Sequence, residues 1–141
     1  MNANDATLTE LATAQSGSMV ADNVPNAPAS GNFDLILEAV AGSALGSSGT
    51  PYTLTISAID LTTVSQPLAP HTLHQAFDAA DGWQLSGTGP DYQCTQTFPI
   101  AIPGDGPGGP LAGHTLQFVA SLVSEGAQIA SIIHSKPFVL V

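Results

Sequence analysis

Arginine is absent from this chain, and lysine occurs once, at Lys136. Eleven acidic residues oppose that single cation, for a formal net charge of −10. Such a surface neutralises almost no phosphate, so nucleic acid is a poor partner. An anionic membrane surface is disfavoured for the same reason. The clamp that arginine makes on carboxylate or phosphate substrates is missing as well. Charged residues make up only 9% of the chain, so the solvated surface has to be built from Ser, Thr, Gln, Asn and Gly.

A single cysteine, Cys94, excludes an intrachain disulfide and a cysteine-based zinc finger. It reads as a small buried residue on a strand, since nothing near it in sequence supplies the base a nucleophilic thiol needs. No apolar run reaches membrane-spanning length. Residues 1–5 lack the basic region of a signal peptide. Membrane insertion is therefore not expected, and no compartment is indicated. An apolar fraction of 43% is too high for a disordered chain. A length of 141 residues fits one domain with a real core.

What is present is alternation. Tyr92, Cys94, Gln96, Phe98, Ile100 and Ile102 share one side of a period of two, with Gln93, Thr95, Thr97, Pro99 and Ala101 opposite, as in a half-buried strand. Leu116, Phe118, Ala120 and Leu122 repeat the pattern. Residues 128–133 form a further run, and 138–141 a short last one opened by Pro137, where a missing N–H is tolerable. Ser124, Glu125 and Gly126 make a hairpin-length connection with Gly available for positive φ. Earlier in the chain, Phe33, Leu35, Leu37, Ala39 and Ala41 share a face. Tyr52, Leu54, Ile56 and Ala58 do likewise, after which Ile59 and Leu61 fall out of phase, as a bulge near Ala58 would explain. Residues 72–77 and 83–85 complete the set. Residues 103–110, with four Gly and three Pro, are neither helix nor central strand.

Residues 1–31 differ from the rest. Asn4 or Asp5 can cap a short helix through about Gln15, with Thr7 and Glu10 at capping-box spacing and Leu8, Leu11 and Ala12 as its apolar stripe. Residues 23–32 read as a linker or extended arm. The expectation is thus an all-β fold: a two-sheet antiparallel β-sandwich of seven or eight strands over residues 32–141, with a short helical or extended N-terminal arm over 1–31. The cysteine pair flanking a tryptophan is absent, so "immunoglobulin-like" is an architectural label only.

Candidate chemistry is sparse. His71 and His74 come nearest to a metal motif, but residues three apart on a strand point to opposite faces. A third ligand would have to come from His114, His134, Asp78 or Asp81. Cys94 with His114 lacks the His and Met that follow the cysteine in blue-copper sites. Asp78, Asp81, Asp91 and Asp105 are scattered and read as turn residues rather than calcium ligands. The residues Gly42, Ser43 and Gly46 do not have nucleophile-elbow spacing. No metal and no cofactor is expected. Two functional readings follow. One is a non-catalytic structural or protein-interaction module, joined to a protein partner or to copies of itself through the arm or a sheet edge. The other is a small-ligand or carbohydrate-binding sandwich, or an enzyme on that scaffold, using Trp83 and Tyr92 with His71, His74 and Asp91.

Overall fold

The computed structural model describes residues 1–21, 32–101 and 111–140. The chain is all-β, with two antiparallel sheets packed face to face. Its strands are β1 (Ala6–Ala14), β2 (Asn32–Ala41), β3 (Pro51–Asp60), β4 (His71–Ala76), β5 (Gln84–Leu85), β6 (Tyr92–Ala101), β7 (Thr115–Ser124), β8 (Ile129–His134) and β9 (Phe138–Val139). One sheet has the order β1-β2-β6-β5. The other runs β4-β3-β7-β8, with β9 continuing along β7. Only a single turn of 3-10 helix, Ala79–Asp81, interrupts the strands among the described residues.

The inward residues are the ones that alternation singles out. Phe33, Leu35, Leu37 and Ala39 of β2 meet Leu54, Ile56 and Ala58 of β3 and Leu116, Phe118, Ala120 and Leu122 of β7, all buried in one core. Aromatic rings fill both ends. Phe33, Phe118 and Phe138 lie 5.4–6.0 Å apart between centroids at one end. Tyr52, Phe77 and Trp83 lie 4.7–6.3 Å apart at the other. Offset and edge-on ring pairs of this kind add to the stabilisation from buried area.

Three expectations are corrected. The N-terminal segment takes the extended of its two expected forms, not the helical one. β1 pairs with β2 from Ala6↔Ala41 to Ala14↔Asp34, with a register shift between Leu8 and Glu10. That shift keeps Leu8 and Leu11 on the buried side although they are three apart. A bulged strand therefore imitates the i, i+3 stripe of a helix. The bulge expected near Ala58 does not exist: β3 pairs with β7 without interruption from Thr53↔Val123 to Asp60↔Leu116. The phase breaks because Asp60, an acid, takes the inward position and leaves Ile59 outward. In the hairpin after β7 the left-handed residue is Gln128 at φ 56°, not Gly126, and β8 starts one residue later than expected.

Two details shape the rims. β1 lies against β8: Leu8 N–H donates to Ser131 Oγ at 3.0 Å, and the Thr7 and Ser131 hydroxyls are 3.3 Å apart. Between β8 and β9, Ser135 carries the ladder on. Its N–H donates to Phe118 O at 2.9 Å, and its hydroxyl accepts from Phe118 N at 3.0 Å.

Candidate functional site

The five residues expected to form a ligand site do not converge. Trp83 is 2% exposed, so it offers no stacking surface. Its Nε1–H donates to the Tyr52 hydroxyl at 3.1 Å. Tyr92 is half-buried at the start of β6, and its ring lies against Gly46, where any side chain would run into it. Asp91 has the Met1 amino group 3.8 Å away. His71 meets the ring of Phe98 edge-on at 6.0 Å. His74 is exposed on the other face of β4, with Nδ1 3.4 Å from Thr53 Oγ1. The two histidines line different grooves. Among the described residues no cluster of three or more metal-capable side chains occurs. Asp105 and the 103–110 loop lie outside the described residues.

Trp83 instead belongs to a polar network that ties the sheets together. The Tyr52 hydroxyl, receiving from Trp83, donates to Gln75 Oε1 at 2.8 Å. Gln75 and Gln96, on opposite sheets, exchange amide hydrogen bonds at 2.9 and 3.3 Å. The Cys94 thiol donates to Asp81 O at 3.4 Å. Burial pushes the Tyr52 phenol up to about 12, against the bond from Trp83. Burial also raises the Cys94 thiol, with Gln96 opposing. The core void beside them is about 10 Å³, no more than one water would fill. Among the described residues every buried side-chain nitrogen or oxygen has a partner.

A second pair was not foreseen. Asp60, 1% exposed, has Oδ2 2.6 Å from His114 Nδ1. Its Oδ1 accepts from Thr62 N at 2.9 Å and Thr63 N at 3.3 Å. The His114 bond holds the carboxyl below its ordinary range, with burial opposing and the Thr62 and Thr63 bonds assisting. The arrangement ties the β3 exit to the 111–114 turn. The only sequence signal for it was an acid breaking the apolar phase ahead of two threonines.

The exterior holds the most distinctive surface. On the outer face of the β4-β3-β7-β8 sheet, three rows run across the strands. They are Thr53, Val123 and Ala130; Thr55, Ser121 and Ile132; and Ser57, Val119 and His134. Thr72 and His74 of β4 extend the first two rows. These strand positions carry no Asp, Glu, Lys or Arg, and Ile132 is 68% and Val123 45% exposed. Among the described residues the acids lie off these strand positions. Glu10 and Glu38 are cross-strand partners on the other sheet's outer side, while Asp34, opposite Ala14, is buried and accepts from Gly17 N–H at 2.8 Å. Asp78, Asp81 and Asp91 are in connections, and Glu125 is in the β7–β8 hairpin.

No family model and no curated protein matches this chain. Among solved structures it is similar to a glycosyl hydrolase family 2 member from Bacteroides cellulosilyticus, at 9% identity and a TM-score of 0.45, over 92% of this chain and 15% of that one. It is also similar to red sea bream transglutaminase, at 13% identity and a TM-score of 0.43, over 95% of this chain and 16% of that one. The chain thus spans about a sixth of the length of either protein.

The thiol is buried, the tryptophan is internal, and the carboxylate–imidazole pair is taken up in closing a turn. The uncharged face was legible in each strand's outward residues. That they lie side by side depends on strand order, which alternation does not carry.

Proposed function

We propose that this domain is a non-catalytic structural or protein-interaction module of immunoglobulin-like architecture. Lettered in chain order, with β4 as an insertion beside β3, the sheets read ABED and CFG, which supports that label. The observation that carries the functional reading is the uncharged outer face of the larger sheet, on a chain of formal net charge −10. Interaction surfaces are depleted of charge at their centres relative to the rest of a protein's exterior. A flat face of Thr, Ser, Val and Ile matches a protein partner better than a small molecule, which needs concavity. Burial of Trp83 counts against the carbohydrate-binding alternative.

The test is a panel of mono- and oligosaccharides, calcium, zinc and copper, read by thermal shift and by two-dimensional NMR. No saturable response is expected. A saturable response centred on Tyr92, Asp91 or His71 would replace the module reading with the ligand-binding one.

A further inference from the structure

We propose that the outer face of the β4-β3-β7-β8 sheet docks on the same face of a second copy of this chain, giving a two-fold symmetric dimer. The inference rests on the interaction-module reading and names its partner.

Charge selects the partner and the face. Each copy carries a formal charge of −10, so two copies repel unless their acids stay apart. Contact through the β1-β2-β6-β5 sheet would press Glu10 and Glu38 of one copy towards those of the other. Contact through the opposite sheet leaves these carboxylates on the two outer surfaces and buries none of them. A basic partner, which the net charge would otherwise favour, finds no carboxylate at the strand positions of this face; Glu125 stands at its rim, in the groove that Thr53, His74 and Val123 also line.

Area is sufficient. Two central strands of ten residues and two flanking strands of six cover about 500 Å² in projection, from about 3.3 Å per residue and about 4.8 Å between strands. Two copies together reach about 1,000 Å² before side-chain relief is counted, which is where specific interfaces begin. Sheet faces stack at about 10 Å, and small Thr and Ser side chains leave room for the protruding Ile132 and Val123.

The β1, β8 and β6 edges are poorer sites for self-association. β1 and β8 already lean on each other through Ser131. β6 pairs with β2 without a register break although Pro99 sits opposite Asp34, so the missing N–H of Pro99 falls on the outer edge. A proline there blocks edge-to-edge pairing.

Sedimentation equilibrium and light scattering on the full chain test this. A dimer with a dissociation constant in about the micromolar range is expected, at the low end of specific interfaces. Ile132→Glu and Ser121→Glu should each weaken it about tenfold or more, while Thr95→Glu on the opposite sheet leaves it unchanged. Ile132 is on an edge strand and exposed, so its variant folds even if the Ser121 variant does not; circular dichroism checks both. Raising salt from about 20 to about 500 mM should tighten the dimer by screening the like charges, whereas an ion-paired interface would loosen. A monomer at every concentration overturns the inference, as does a dimer indifferent to Ile132→Glu. A monomer with a silent ligand panel removes the second copy alone and leaves a partner of different sequence. A positive ligand panel removes the module reading itself.

Discussion

Gln75 and Gln96 stand on different sheets and hold each other by two amide hydrogen bonds, 2.9 and 3.3 Å long, with Gln75 also receiving the Tyr52 hydroxyl. They latch the sandwich where the short β5 leaves most of β6 uncovered, since β5 pairs only with Tyr92 and Gln93. A side-chain latch there does the work that a longer strand would otherwise do.

The latch predicts an alkaline limit. The folded Tyr52 phenol is raised to about 12 from an ordinary 10.0. Its contribution to stability is fully present below pH 10 and is lost as pH rises from 10 to 12, because the unfolded chain ionises first. The loss amounts to about 2–3 kcal/mol. In a Tyr92→Phe background, absorbance at the phenolate band should rise only together with unfolding. Ionisation near pH 10 with the fold intact would contradict the burial and bonding described here.

Cys94 gives a second expectation. It is 5% exposed, and burial raises its thiol. A disulfide reagent at neutral pH should therefore label the native chain at least about a hundredfold more slowly than the urea-unfolded chain, because the thiolate is the reactive form and needs access. Equal rates would place the thiol outside the core.

At the acid end, Asp60 works in the opposite sense to Tyr52. Its folded carboxyl is held below the ordinary value of 3.8 by His114, so the stabilisation is fully present above the unfolded value and is lost as pH falls through the lower folded one. Asp60→Asn should lower the melting temperature at pH 7 and flatten its fall below about pH 4. His114→Gln should flatten the same region. An unchanged acid limb in both variants would show that this pair does not set it.

Much of this was legible in advance, and the exceptions share a cause. Alternation identified the inward residues of β2, β3, β6 and β7, because burial on one face of a strand leaves a period of two. It failed at Leu8 and Leu11 and at Asp60, where a local irregularity was satisfied by a distant partner. The β1 bulge is accompanied by Ser131 from the far end of the chain, and the buried Asp60 by His114 more than fifty residues on. Trp83, the stacking platform of the ligand-binding alternative, is internal, and Tyr52 supplies the acceptor for its N–H. Sequence patterns report a strand's faces, not which remote polar group meets them.

The N-terminal strand provides the strongest contrast between the two levels of reading. If residues 1–14 were an accessory arm, their removal would alter only association and leave the β spectrum intact. In the structure Ala6, Leu8, Leu11 and Ala14 are buried, and Leu8 and Leu11 belong to the same core as Leu35 and Leu37 of β2. Deleting residues 1–14 removes these side chains and uncovers the outer edge of β2. Two leucines and two alanines, with the strand ladder, amount to roughly 5 kcal/mol, a large fraction of the total for a domain of this size. The truncated chain should lose its cooperative thermal transition, and β2 amides should exchange with solvent far faster than in the full chain. A double substitution, Leu8→Ala with Leu11→Ala, should cost about 4 kcal/mol or more in urea unfolding while keeping every backbone pair available. A truncated chain that melts within a few degrees of the intact one would return β1 to the role of a removable arm.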